Sequence, residues 1–359
     1  MWEVEDNGFL PAQKPAYISR GCIHGVGQEV EILGEILPEL IMDRTVREEL
    51  VAVLRPLAKH IPSYLNDLKG DQQQLERFMM LLSYFASAYV YASNESPSNR
   101  LPEEIAVPFV SIAGLVRRPP ILSYASCCLN NWVHSDLQKP IELGSIGILQ
   151  KFVHPSIDGS TDEDWFVLVH VAVEARAAEA ISAINRSHAH IESSDGSEVS
   201  KCLHQLCDSL KKINVTMKRI SENCRPDYHF KFLRPYISDF QNVTYEGIYG
   251  EPQSFRGETI LQSSVVSAIQ TSLGILHKNS MRNYMPPAHR NYIDRLLEKP
   301  TLRSHVENDD TLKSLYNECI IQLSEFREHR ISHIESYVHR KIDGPWKSKM
   351  QEEAEGYLL

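Results

Sequence analysis

Apolar residues recur three and four positions apart along most of this chain, and this helical spacing restricts its fold more than any other feature. The clearest series is Leu203, Leu206, Leu210, Ile213, Met217 and Ile220. Residues 27–69 and 73–93 show the same spacing, which predicts further amphipathic helices. The stretch 165–180 is apolar on nearly every side, so we expect a central helix whose polar residues have buried partners. The predicted fold class is mainly α.

A run of two arginines and two prolines at 117–120 interrupts the helical pattern. Because proline breaks helices, we place a domain boundary at this run. The expected organisation is a small, mostly helical N-terminal domain at 1–118 and a large all-helical domain at 119–359. Polar, glycine-containing segments at 190–200 and 241–260 are predicted to be loops.

The composition argues against several classes of protein. A formal net charge of −10 disfavours a broad basic face, so neither nucleic acid nor an anionic membrane surface is an expected partner. The seven cysteines include no CxxC pair, which disfavours a disulfide framework or a structural zinc site and favours reduced thiols in the cytoplasm. No apolar stretch approaches the ~20 residues that cross a bilayer, and no targeting segment is visible. We expect a cytoplasmic monomer that binds a small molecule.

The most specific motif is the nine-residue segment YMPPAHRNY at 284–292. Four further motifs are PPILSYA at 119–125, VEAR at 173–176, LRPY at 233–236, and YEG at 245–247 followed by QSS at 262–264. Together they resemble the indoleamine 2,3-dioxygenase family, and the resemblance covers roughly residues 7–340. Activity is a separate question, because one fold can serve several functions.

The resemblance implies a haem enzyme with a large helical haem-binding domain. It implies haem b as the iron cofactor, an indole and O2 as the small-molecule partners, and insertion of O2 across the indole C2–C3 bond. With tryptophan or a related indoleamine the product would be of the N-formylkynurenine type, as in tryptophan catabolism by the kynurenine pathway. No GxGxxG motif is present, which agrees with a reaction that consumes no nicotinamide or flavin reductant.

By the same resemblance, Phe166 and His170 lie above the haem, on the side where O2 and substrate bind. His170 would accept a hydrogen bond from the indole N–H, and we assign it the catalytic role because a neutral imidazole nitrogen is a good acceptor. The alternative is a core histidine that is satisfied by a neighbouring carbonyl group.

Arg234 matches the family's arginine that binds the carboxylate of the substrate, a role that suits a planar guanidinium group. It follows Phe230, Phe232 and Leu233, a largely apolar run, and a charge buried there needs an anionic partner. The alternative is a salt bridge at the surface or between helices.

The wall of the indole pocket is expected to include Tyr124 and Cys127, again by resemblance. Plain helix packing is the alternative, and it is compatible with that role because pocket walls are also part of the core. Cys127 and Cys128 are adjacent thiols on an apolar segment, which is more typical of inert packing than of redox chemistry.

Gly257 and Thr259 belong to a strip that, in the family, is rich in small residues and lets haem and the substrate amine approach the backbone. We therefore assign both to substrate binding. Glu258, Ile260 and Leu261 depart from the family pattern, which predicts a narrower or charged pocket and leaves the identity of the substrate open. The alternative for Glu258 is a loop charge that faces solvent.

The iron ligand is the largest departure, because Arg330 stands where the family has its histidine. Arginine is protonated at all accessible pH values and cannot bind iron well. His333 lies at the edge of the apolar stripe of this helix and His329 lies further round, so we take His333 and then His329 as the metal ligands. Arg327 matches the arginine that pairs with a haem propionate. The alternative is that this segment is a solvated helix face.

The tail at 341–359 lacks the Gly-Thr-rich loop that closes over the substrate in the family. An absent lid would expose the site to water. Two alternative functions stay open. The altered strip at 257–261 favours a divergent family member that uses haem for another indole oxidation, and Arg330 with the absent lid favours a non-catalytic haem-binding or scaffold protein.

Overall fold

The computed structural model describes residues 4, 8–18, 25–92, 96–153, 161–192, 196–275 and 281–337, and it describes no side chains at 192 and 329–337. The N-terminal helices are α1 (Val26–Glu35), α2 (Leu37–Asp43), α3 (Val46–Leu57), α4 (Ile61–Asp67), α5 (Gln72–Val90) and α6 (Glu103–Val116). They confirm the helices that the apolar spacing at 27–69 and 73–93 predicts.

The later helices are α7 (Asp162–Glu192), α8 (Gly196–Lys218), α9 (Ile220–Asn223), α10 (Pro226–Tyr228), α11 (Ser264–Ser272), α12 (Pro287–Leu297), α13 (Leu302–Val306) and α14 (Asp310–Tyr337). Two π-helical turns lie at Ala125–Leu129 and His229–Leu233, and two 3-10 turns lie at Ile260–Gln262 and Arg282–Tyr284. The structure is mainly helical, as predicted.

Helix α7 packs along α8, and α8 packs along α14, so that α8 lies between the other two. Five residues of the predicted stripe are buried on α8: Leu203, Leu206, Leu210, Ile213 and Met217. The sixth, Ile220, is buried at the start of α9, so α8 ends before the predicted stripe does. Helix α7 is buried on several sides, which confirms the central helix that its sequence predicts. The inner stripe of α14 consists of Leu312, Tyr316, Cys319, Ile320, Leu323 and Phe326.

The prediction of loops at 190–200 and 241–260 is wrong in large part. Helix α7 extends to Glu192 and α8 begins at Gly196. Strand β4 (Phe240–Tyr245) pairs antiparallel with β5 (Gln253–Phe255) and parallel with β1 (Arg100–Leu101). A second, two-stranded sheet consists of β2 (Val133–His134) and β3 (Ile146–Gly147). The residues after 118 are therefore not all helical, as the prediction of an all-helical large domain had it. The strands were not predicted because each is too short to leave a clear alternating pattern in the sequence.

The first and later parts of the chain share one continuous hydrophobic core, which extends from Phe9 to Phe326. Two buried ion pairs lie within it: Arg77 forms a bidentate pair with Glu31 at 2.6 and 2.9 Å, and Arg118 pairs with Glu76. The domain boundary at 118 stays a prediction. In the described part of the chain, no helix is both long and apolar enough to cross a membrane.

Candidate functional site

Helix α7 positions Phe166 and His170 one turn apart on a buried face, because residues four positions apart lie on the same side of a helix. The two rings are 4.6 Å apart between centroids. Nδ1 of His170 lies 2.7 Å from the Phe166 carbonyl oxygen. A carbonyl oxygen only accepts, so Nδ1 donates and the lone pair of a neutral ring lies on Nε2. This bond agrees with the interpretation of His170 as a core histidine that is satisfied by a carbonyl group. It also leaves Nε2 as the ring atom that would accept the indole N–H if His170 binds the substrate.

Aromatic rings extend this region to the segment that carries Arg234. The His229 ring lies 4.9 Å from that of Phe166, and the Tyr124 ring lies 5.9 Å from that of His170. The His229 carbonyl oxygen accepts a hydrogen bond from the Arg234 backbone N–H at 2.8 Å. The structure thus brings Tyr124, Phe166 and His170 together, and it places Arg234 at the end of the turn that carries His229. No sequence pattern pointed to His229, although its position five residues before Arg234 is a usable signal.

Glu174 anchors the candidate pocket from the next turn of α7. Its carboxylate accepts hydrogen bonds from the Tyr124 hydroxyl at 2.9 Å and from the Ser263 hydroxyl at 2.7 Å. Burial raises the pKa of Glu174 to about 7, against the lowering effect of these two bonds. Gln262 accepts from the Tyr124 backbone N–H and donates to the Gly257 carbonyl, at 2.7 and 2.8 Å. The predicted need of α7 for buried polar partners is confirmed here.

Arg234 directly follows the π-helical turn at 229–233 and is half-buried. Its guanidinium group makes no hydrogen bond or ion pair with any residue that the structure describes. The apolar run before it is not a buried wall, because Phe230 is 55% exposed and Phe232 is exposed as well. The turn buries only His229 and Leu233. The argument that an apolar run buries Arg234 is therefore wrong. The Arg234 guanidinium group nevertheless has no hydrogen-bond or ion-pair partner among the described residues.

Gly257 meets protein backbone at very close range. A Cβ atom at this position would lie 2.4 Å from the carbonyl oxygens of both Ile237 and Ser238, so only glycine fits without movement of the backbone. The Gly257 N–H donates to the Asp239 carboxylate at 2.9 Å. This contact fixes the strip at 257–259 against the segment that follows Arg234.

The strip carries one buried charge. Glu258 is only 7% exposed, so the interpretation of it as a solvent-facing loop charge is wrong. Burial raises the pKa of Glu258 to about 7, and the positive charge of Arg234 limits that rise. Thr259 caps the following 3-10 turn through its hydroxyl, while Ile260 is half-buried and Leu261 is exposed. The departure from the family strip therefore places the carboxyl group of Glu258, rather than the side chain of Leu261, in the interior of the protein.

Tyr124, Cys127 and Cys128 lie in or beside the π-helical turn at 125–129, and all three are buried. Burial raises the pKa of the Cys128 thiol well above its ordinary value. A protonated, inaccessible thiol is a poor nucleophile, which agrees with the wall role rather than with redox chemistry. The Glu258 carboxyl is near enough to all three groups to raise their pKa values.

Helix α14 places Arg327 against α11, where its guanidinium group lies within hydrogen-bond distance of the side-chain amide of the buried Gln270. The backbone stays α-helical through Tyr337, so the described helix contains no bulge that would shift its register. His329, Arg330 and His333 lie on this continuous helix, and their side chains are outside the described part of the structure. The tail at 341–359 lies outside the described residues as well.

Comparison with known proteins agrees with these observations. The family model for indoleamine 2,3-dioxygenase matches residues 1–356. Mouse indoleamine 2,3-dioxygenase 1 is 33% identical over 325 residues, which cover 84% of this chain and 76% of the relative. Human indoleamine 2,3-dioxygenase 2 is 28% identical over 288 residues, covering 76% of this chain and 69% of the relative.

A fungal relative has a different name. The 6-hydroxytryptophan 2,3-dioxygenase of Fusarium equiseti is 26% identical over 350 residues, which cover 92% of this chain and 82% of the relative. The match of the family model over nearly the whole chain supports a dioxygenase role. On this match and on the helical architecture, the chain belongs to the indoleamine 2,3-dioxygenase family.

Proposed function

We propose that this protein is a haem-dependent dioxygenase that inserts both atoms of O2 across the indole C2–C3 bond of tryptophan or a closely related indole amino acid. The observation that carries the proposal is the presence of two complementary groups, one beside Phe166 and one at the end of the turn whose His229 ring contacts Phe166. His170 offers an imidazole acceptor beside Phe166, and Arg234 offers a guanidinium group without a described partner. An indole amino acid has an N–H donor and a carboxylate that match these two groups.

The described residues fit haem b at the points where they can be compared with it. A buried imidazole and an aromatic ring suit the face on which O2 binds, and the Arg327 guanidinium suits a propionate. On α14 we propose His333 as the iron ligand, with His329 as the alternative and Arg330 excluded by its permanent charge. When bound, haem supplies the activation of O2.

The protein's own groups bind, orient and protect the substrate. Arg234 binds its carboxylate, and Nε2 of His170 accepts the indole N–H, which together fix the indole ring relative to the site. Phe166, Tyr124 and Cys127 line the region and exclude water. In the overall reaction the C2–C3 bond breaks and each carbon gains one oxygen atom, so O2 is the only oxidant and no external reductant is consumed.

A direct assay tests the proposed function. Haem-loaded protein, supplied with L-tryptophan and O2, is expected to form N-formylkynurenine, identified by chromatography and mass spectrometry. A matched reaction with haem-loaded protein that has been heat-denatured controls for chemistry by free haem. If the native protein leaves tryptophan unchanged or oxidises it without ring cleavage, the proposal is wrong.

A second candidate is ring cleavage of a substituted indole. The buried Glu258 carboxyl favours it, because the pocket holds a polar group that a hydroxyl group on the ring can contact. The same assay with 6-hydroxytryptophan distinguishes the two candidates. A much higher kcat/KM for the hydroxylated substrate would favour this second candidate over the first.

His170→Ala should lower kcat/KM for tryptophan by about tenfold or more, because the indole N–H loses its acceptor in a buried site. For 1-methyltryptophan, which has no indole N–H, we expect a much smaller loss. His188→Ala is the matched control, since His188 is also buried on α7 and contacts Ser272 instead. Equal losses for both substrates would show that His170 only packs.

A further inference from the structure

Two opposite charges lie close together at the strip that follows β5. The backbone N–H of Glu258 donates to the Ile237 carbonyl oxygen at 3.1 Å, three residues after Arg234. The Asp239 carboxylate accepts from the Gly257 N–H at 2.9 Å and pairs with Arg256 at 2.6 Å. These three contacts hold the Glu258 backbone in place against the Arg234 segment.

Neither charge is neutralised by a direct partner in the described part of the chain. Oε1 of Glu258 is completely buried and has no hydrogen-bond partner there. Arg234 influences the Glu258 carboxyl electrostatically, but the two side chains form no ion pair. A buried carboxyl without a hydrogen bond is costly, so its presence calls for a bound group that can donate to it.

Apart from Arg234, three uncharged groups interact electrostatically with Glu258. These are Tyr124, Cys127 and Cys128, whose pKa values Glu258 raises alongside the effect of burial, and all three are neutral at ordinary pH. The Tyr124 hydroxyl is already engaged, because it donates to Glu174. A cationic ligand group therefore has Glu258 as a dedicated acceptor, while an anionic ligand group has Arg234.

We propose that Glu258 binds the ammonium group of a zwitterionic indole amino acid whose carboxylate is bound by Arg234. This inference rests on the proposed function and defines its substrate class more narrowly. An α-amino acid presents both charges on one carbon, which suits an acceptor and a donor that influence each other electrostatically but form no ion pair. The site then discriminates against indoles that lack either charge.

Binding without turnover tests this assignment. Tryptophan, tryptamine and indole-3-propionate are titrated calorimetrically into haem-loaded protein in the absence of O2. Tryptamine carries only the ammonium group, and indole-3-propionate carries only the carboxylate. In Glu258→Gln, tryptophan and tryptamine are expected to bind about 10- to 100-fold more weakly, whereas indole-3-propionate binds no more weakly.

The reciprocal variant gives the opposite pattern. In Arg234→Gln, tryptophan and indole-3-propionate are expected to bind about 10- to 100-fold more weakly, with tryptamine unaffected or tighter. Glu251→Gln, an exposed position in the loop between β4 and β5, is the control and should change none of the three. If Glu258→Gln fails to fold, Glu258→Gly is used in its place.

Unchanged tryptamine affinity in the folded Glu258 variant would overturn the assignment of the ammonium group and leave the proposed function intact. The assignment would also be overturned if a hydroxylated tryptophan lost affinity in Glu258→Gln while tryptophan and tryptamine did not, because Glu258 would then bind the ring substituent. Failure of all three ligands to bind the unaltered protein would instead contradict the proposed function.

Discussion

Replacement of His333 with alanine is expected to abolish stable haem binding, whereas His329→Ala should have a milder effect. The buried stripe of α14 repeats every three or four residues up to Phe326, and the backbone remains helical beyond it. At 3.6 residues per turn, position 330 falls within the angular range of this stripe, position 333 lies at its edge, and position 329 lies further round the helix. Because arginine cannot bind iron, the ligand role passes to His333. The ratio of Soret to protein absorbance after haem reconstitution measures the effect.

A gain-of-function variant provides the control for this register argument. Adding Arg330→His to the His333→Ala protein should restore the Soret band, because it returns an imidazole to the centre of the stripe. Loss of haem only in His329→Ala would make His329 the ligand. Full retention of haem in both single variants would contradict ligation from this helix, and an absence of haem from the unaltered protein would favour the scaffold alternative.

Glu76→Ala is expected to destabilise the protein by about 3–5 kcal/mol, which is the range for removing one partner of a buried ion pair. Glu76 is buried and accepts hydrogen bonds from Arg118 and from Asn130. Two further nitrogens of Arg118, Nε and Nη1, are buried and already have no partner in the described structure. The variant would leave that charge uncompensated. Urea denaturation, compared with the unaltered protein, measures the free energy of unfolding.

The control for this prediction is an ion pair on the surface. Arg55 pairs with Glu104 at 2.8 Å, and its side chain is 70% exposed. Arg55→Ala should change the free energy of unfolding by about 1 kcal/mol or less, because solvent screens such pairs. Similar losses in the two variants would mean that burial of the Glu76–Arg118 pair contributes little.

The helices could be predicted because their apolar spacing is long and regular. Helix α8 shows this spacing at five predicted positions, all of them buried, and α7 shows apolar residues on several of its sides. Strands β4 and β5 were missed because each is short, and β4 pairs in addition with β1, which lies far away in sequence. Pairing between distant segments leaves no local pattern in the sequence.

In the site, the group on α7 could be predicted because helical geometry places Phe166 and His170 on one face. The burial of Glu258 could not be predicted. It results from contacts between the strip at 257–259 and residues 237–239, and the spacing of residues within the strip does not reveal these contacts. Phe230 lies in a π-helical turn, in which side chains point in other directions than in an α-helix. The spacing of apolar residues does not reveal such a turn, so the exposure of Phe230 could not be predicted either. His333 stays a prediction.

The central claim is that this protein is a dioxygenase of indole amino acids, and isotopic labelling of O2 tests it most directly. Haem-loaded protein would be supplied with L-tryptophan and labelled O2, and the product analysed by mass spectrometry. We expect both labelled atoms in each molecule of ring-cleaved product, with one O2 consumed for each molecule formed. A product that carries a single labelled oxygen, or O2 uptake without cleavage of the indole ring, would contradict the claim.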